Sequence, residues 1–199
     1  MLATAFHFFG AAVSWLEAVA FVLALAMVIC SAYEKPLTWP LAIVSSALYV
    51  WLFYVSKLYG ETVVNVFFVL SGLYGWFQWL FGHRDRSPEP LRVARLPKRG
   101  IAITISAWAI GWLLFGTFLS RFTDSDVPWA DAFVTAGSFV GTALLAKKYI
   151  ENWSVWIVVN AASVVLFIYK SLWLTTLLYA ILFAFSFWGL RIWRRALAS

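Results

Sequence analysis

The chain has 199 residues, 63% of them hydrophobic and 12% charged, with a formal net charge of +6. Soluble domains are about 45–50% apolar and about 25% charged, so this composition in water would expose large apolar patches. It belongs in a bilayer, and because the apolar segments recur along the whole chain they are not a cleaved targeting signal.

Residues 1–14 contain aromatics and His7 but are too short to cross, and they read as an interfacial or frayed leader. Seven apolar segments follow, at about 15–33, 37–56, 61–81, 101–120, 129–148, 153–170 and 173–193. Each is near the roughly 20 residues that a helix needs to span the hydrocarbon core. Long continuous runs exclude a barrel, whose strands alternate in pieces of about ten residues. Joints such as Glu34-Lys35-Pro36 and Ser171-Leu172 are so short that consecutive helices must pack as antiparallel neighbours. The single cysteine, Cys30, lies in an apolar run and reads as a small buried hydrophobe.

The one real linker is RDRSPEPLRVARLPKR, Arg84 to Arg99, with three prolines and six basic residues. With Lys35, Lys147, Lys148, Arg191, Arg194 and Arg195 it puts twelve of the fifteen basic residues on one side. The Lys/Arg bias therefore predicts a cytoplasmic linker and C-terminus and an outer N-terminus. The charge is accounted for by topology, so no nucleic-acid partner is implied.

A shift of 114 positions superposes residues 13–80 on 127–194 without a gap, giving 15 identities in 68 positions. Trp15 meets Trp129, Trp39 meets Trp153, Gly75 meets Gly189 and Trp79 meets Trp193. The predicted fold class is an all-α membrane protein with seven transmembrane helices in a 3+1+3 parallel repeat. Its parts are a repeat at 15–81, a basic linker at 82–100, a connecting helix at 101–120, an outer loop at 121–128 and a second repeat at 129–195. Parallel repeats place a substrate site near the midplane between halves.

Helical spacing puts Trp153, Trp156, Asn160 and Ser163 on one stripe, and the repeat puts Trp39, Ala42, Ser46 and Tyr49 on the matching one. Asn65 and Gln78 add amides from the third helix, and Tyr179 and Ser186 add polar groups from the seventh. An intramembrane asparagine faces a passage or bonds between helices. Trp15, Trp39, Trp79, Trp129 and Trp193 lie near helix ends, as interface anchors or packing residues do. Gly72, Gly75, Gly137 and Gly141 suit close helix approach. No carboxylate or histidine lies mid-span, which disfavours a proton relay. Clustered metal or acid–base groups for an enzyme are missing, and the last span has no lysine for retinal. No cofactor or metal is expected.

The string Trp153, Trp156, Asn160 (W-x-x-W-x-x-x-N) within a 3+1+3 chain resembles the PnuC family of bacterial vitamin transporters. GLYGWFQW, Gly72 to Trp79, and LFIYKSLWLTTLLYAILF, Leu166 to Phe183, resemble it too. The resemblance implies a SWEET-like fold, often trimeric, and facilitated diffusion of an unphosphorylated vitamin across the bacterial inner membrane. A cytoplasmic kinase then traps the vitamin. Nicotinamide riboside is the expected cargo, with thiamine, riboflavin or a deoxynucleoside as alternatives and a non-transporting scaffold as the reading from another class. Tryptophan faces suit a flat or cationic ring, and amides suit its polar substituents. The expected substrate-binding residues are Trp153, Trp156, Asn160, Asn65, Gln78, Ser46 and Tyr49. Prolines 36, 40 and 128 near helix starts are candidate pivots for alternating access.

Overall fold

The computed structural model describes residues 4–8, 11–55, 59–83 and 90–198. Among these, seven helices follow one short hairpin: α1 Trp15–Ala32, α2 Thr38–Val55, α3 Tyr59–Phe81, α4 Lys98–Phe122, α5 Pro128–Ala146, α6 Glu151–Tyr169 and α7 Trp173–Ala196. The helices coincide with the seven predicted segments to within a few residues. Five are long and apolar enough to cross a membrane, with shorter apolar stretches at Ala18–Ala32 and Thr38–Trp51. Instead of fraying, the leader pairs with itself: β1 (Thr4–Phe8) and β2 (Ala11–Ser14) form an antiparallel hairpin that runs straight into α1.

Three helix ends carry charges that favour them. Pro128 opens α5 with Asp131 in its first turn, Glu151 sits in the first turn of α6, and Arg194 and Arg195 sit in the last turn of α7. Acids at N-termini and bases at C-termini complement the helix dipole, each contributing about 0.3–1 kcal/mol. α4 starts three residues before its predicted segment, at Lys98, and α7 runs three residues past its own, through Arg194 and Arg195 to Ala196.

Three helices end in the same reverse turn. Glu34, Lys148 and Ser171 adopt left-handed backbone with φ of 54°, 51° and 56°. Around each, two amides return to the helix: Lys35 to Cys30 (2.9 Å) and Glu34 to Ser31 (3.1 Å), Tyr149 to Leu144 (3.0 Å) and Lys148 to Leu145 (2.9 Å), and Leu172 to Phe167 (2.9 Å) and Ser171 to Ile168 (3.0 Å). This is the Schellman arrangement, which reverses the chain within a few residues. Glu34 and Lys148 are 114 positions apart, so the repeat extends to backbone conformation.

The chain divides into two compact units, Met1–Leu91 and Arg92–Ser199. In unit 1, α2 packs on both α1 and α3. In unit 2, α5 packs on α4 and α6, and α6 on α7. The connecting helix α4 is thus part of unit 2, held by the Trp108 indole N–H on the Phe133 carbonyl (3.0 Å) and the Trp112 indole N–H on the Trp129 carbonyl (2.8 Å). Gly116 is its one buried residue, while Ile103, Ile105, Leu114 and Phe118 are bare. Apolar exposure on that scale is what a lipid-facing helix presents.

The linker is not slack where it is described. Leu91 donates to the Gly82 carbonyl within unit 1 (3.2 Å). In unit 2, Ala94 donates to the Lys148 carbonyl (3.0 Å) and accepts from Ile150 (2.9 Å), and the Leu96 N–H donates to the Glu151 carboxylate (3.0 Å). Leu96 then packs on the cluster of Leu144, Val155 and Val159. Residues 92–97 are a strap across the α5–α6 turn.

Candidate functional site

The repeat is visible as one contact made twice. In unit 1 the Trp39 ring fills the space that a Cβ at Gly75 would occupy and meets Trp79 edge-on, with centroids 5.5 Å apart at 90°. In unit 2 the Trp153 ring does the same at Gly189 and meets Trp193 at 5.6 Å and 89°. All four indoles are buried. Glycine is required here because only its missing side chain admits an indole against the facing helix. Trp39, Trp79 and Trp193 are therefore packing residues, whereas Trp15 and Trp129 are exposed, at 63% and 45%, as anchors would be. Gly72, Gly137 and Gly141 also sit at close approaches, against Ile43, against Trp108 and Val159, and against Trp156.

Trp153 was expected to line the site, and most of its ring is instead engaged by Gly189 and Trp193. Its Nε1 is buried without a hydrogen-bond partner among the described residues, as is that of Trp39. The residues just before the two indoles share this property. Thr38 Oγ1 and Asn152 Oδ1 are buried and unpartnered among the described residues, although Asn152 Nδ2 donates to the Tyr149 carbonyl (2.7 Å). Sequence reasoning missed this pair. The available signal was the repeat itself, which aligns Thr38-Trp39 with Asn152-Trp153.

Asn160 is 3% exposed, in the middle of α6. Its Nδ2 donates to Ser186 Oγ on α7 (3.0 Å), and Ser186 donates to the Leu182 carbonyl (2.8 Å). Asn160 Oδ1 has no partner among the described residues, and neither has Ser163 Oγ, one turn further along α6. An unpaired buried polar atom costs about 1–3 kcal/mol. Three such atoms, Trp153 Nε1, Asn160 Oδ1 and Ser163 Oγ, lie on one stripe of α6. Trp156 is half-buried beside Gly141, one turn before Asn160. Trp153, Trp156, Asn160 and Ser163 thus share one helix face, and Ser186 joins them across the α6–α7 contact.

The remaining expected residues lie in unit 1. Ser46 and Tyr49 are half-buried on α2, and Asn65 is half-buried on α3. Gln78 Nε2 donates to the Tyr74 hydroxyl one turn back on α3 (2.7 Å), so part of its amide is engaged by its own helix. Tyr179 of α7 stacks at a tilt on Phe167, with centroids 5.1 Å apart. A separate polar cluster ties α5 to α6: Lys170 Nζ bonds both oxygens of Asp131 (2.9 and 3.0 Å), and the Ser125 hydroxyl adds a bond of 2.7 Å. No group of three or more metal-ligating side chains occurs among the described residues. An apolar groove of about 530 Å³ opens beside Trp112, Trp129, Phe133 and Val165 but contains none of the expected residues.

Comparison with known proteins relates the chain to membrane transporters. The nicotinamide riboside transporter PnuC of Escherichia coli is 26% identical over 207 aligned residues, covering 92% of this chain and 87% of that protein. The riboflavin/roseoflavin transporter RibM of Streptomyces davaonensis is 29% identical, covering 95% and 89%. The crystal structure of the vitamin B3 transporter PnuC superposes with a TM-score of 0.72 at 25% identity, covering 92% of this chain and 81% of that one. The family model described as nicotinamide mononucleotide transporter matches residues 14–195, and the chain accordingly belongs to that family, the PnuC family of transporters.

Proposed function

We propose that this multi-pass membrane protein carries an unphosphorylated vitamin, nicotinamide riboside, across the bacterial inner membrane by facilitated diffusion. The observation that carries the reading is the stripe on α6, where Asn160 Oδ1 and Ser163 Oγ, one and two turns from Trp156, are buried and unpartnered among the described residues. Trp156 stacks the ring, Trp153 offers its indole N–H, and Asn160 and Ser163 bond the polar substituents. Within unit 1, the residues that the same reading nominates for cargo contact are Asn65, Gln78, Ser46 and Tyr49. Although the family description names the mononucleotide, the riboside is the better cargo. The helices carry no lysine or arginine mid-span to receive a phosphate, and an unpaired buried anion is strongly disfavoured. The vitamin is then trapped by a cytoplasmic kinase.

Riboflavin is the second reading, favoured by the 29% identity to RibM. It too is a flat ring with a hydroxylated chain, and tryptophan stacking alone does not separate the two. The wider reading is a 3+1+3 parallel repeat of SWEET-like arrangement, trimeric, with the N-terminus outside and the basic linker and C-terminus in the cytoplasm. The repeated Trp–Gly–Trp contact supports the repeat, and the Lys/Arg bias supports the orientation.

The test is isothermal titration of the purified protein with nicotinamide riboside, riboflavin, thiamine and a deoxynucleoside. Micromolar binding of the riboside alone is the expected result. Binding of riboflavin alone selects the second reading, and heat with none of the four returns the chain to a scaffold role.

A further inference from the structure

The Asn160–Ser186 pair has a direction. Ser186 has one hydroxyl proton, and it goes to the Leu182 carbonyl at 2.8 Å. Toward Asn160 the hydroxyl offers only lone pairs, so the amide 3.0 Å away must turn its Nδ2 to it. Asn160 Oδ1 is thereby turned away from Ser186, buried and unpartnered among the described residues. In unit 1 the repeat places Ser46 and Gly72 at the equivalent positions, so this polar pair exists once per chain.

We propose that Ser186 is a positioning residue that holds Asn160 as a hydrogen-bond acceptor, so that the site selects cargo with a ring-borne N–H donor and rejects the carboxylate analogue. The inference rests on the reading of Asn160 as a cargo contact. Trp156, one turn away on the same face, holds the ring, which brings the ring's own polar substituent to Asn160. For nicotinamide riboside that substituent is the carboxamide, and for riboflavin it is the imide N–H. A carboxylate there sets acceptor against acceptor in a buried site and leaves both without a bond. Sites built to bond a polar group discriminate strongly against ligands that leave it unpaired. Ser163 does not set this polarity, because its hydroxyl has no partner among the described residues to fix the proton and can donate or accept.

The experiment titrates the wild type, Ser186→Ala and Ser186→Thr with nicotinamide riboside and nicotinic acid riboside, and with riboflavin and N3-methylriboflavin. The wild type is expected to bind the N–H form of its cargo at least about tenfold more tightly than the partner lacking it. In Ser186→Ala the amide is free to reverse its ends, and the preference falls to within about threefold. Ser186→Thr, which keeps the hydroxyl, restores it. A merely structural role for Ser186 would weaken both members of a pair equally and leave the ratio intact, which overturns the proposal. So does a wild type that binds both members alike, whether or not the alanine variant folds. In either case the cargo reading survives, because the cargo itself still binds. Failure of the wild type to bind either vitamin overturns that reading and this inference together.

Discussion

Asn160 stands where a leucine would be easier to bury, and its neighbours explain why it remains. One donor of the amide is satisfied by Ser186, while its acceptor is without a partner among the described residues and, in the proposed function, meets the cargo. Asn160→Leu is therefore expected to abolish vitamin binding, measured by titration, while the detergent-solubilised protein stays monodisperse with a near-native melting temperature. Normal binding by the leucine variant would make the amide interhelical glue. The paired glycines respond differently. A methyl at Gly75 or Gly189 would overlap the six-membered ring of Trp39 or Trp153, and overpacking of this kind costs roughly 1–3 kcal/mol. Gly75→Ala and Gly189→Ala are each expected to lower the melting temperature by several degrees and by similar amounts. A drop in only one variant would show that the two contacts are not energetically equivalent.

At the scale of elements, the helix ends are specified locally and the strap is not. The Schellman turns follow from the chain stopping and reversing within three residues, and their non-glycine left-handed residues each cost roughly 1–2 kcal/mol of conformational strain. Ser171→Gly relieves that strain and is expected to raise the thermal midpoint slightly, offset in part by the greater freedom of glycine in the unfolded chain. The strap depends on Glu151, whose carboxylate in the first turn of α6 holds the Leu96 amide across 55 positions of sequence. Glu151→Ala leaves that amide unpaired, at a cost of about 1–3 kcal/mol. Faster hydrogen exchange is expected at residues 94–96 and at Ile150, with α7 unchanged. Uniform acceleration throughout unit 2 would mean that Glu151 supports the whole unit rather than the strap. The Asp131–Lys170 pair is a quarter exposed on each side (23% and 26%), so Lys170→Met is expected to change stability by less than about 1 kcal/mol.

For the molecule as a whole, the absence of mid-span acids and histidines bears on what drives transport. The protein is a transporter and not an enzyme, and transport coupled to protons needs a titrating group that alternates between the two sides. Uptake into vesicles is therefore expected to follow the cargo gradient alone, with an initial rate unchanged when a protonophore collapses the pH gradient. A several-fold fall in that rate would point to a coupling group at a helix end. The two units repeat the Trp–Gly–Trp contact, and among the described residues the strap, the fourth helix and the Asn160–Ser186 pair belong to unit 2.

The number, length and order of the helices were legible in the amino-acid sequence, because each span must satisfy its backbone and its hydrophobic length by itself. So was the repeat, since a gapless offset of 114 preserved the tryptophans and glycine that pack together. Asn160 could be singled out as an amide in an apolar run. Which of its atoms is free could not, because that depends on Ser186, 26 positions away on another helix. Spacing likewise put Trp153 on the site stripe, yet only packing decided that Gly189 and Trp193 engage its ring. The strap and the membership of α4 in unit 2 follow from the same cause: periodicity gives a helix its faces, and contact with distant segments decides what each face meets.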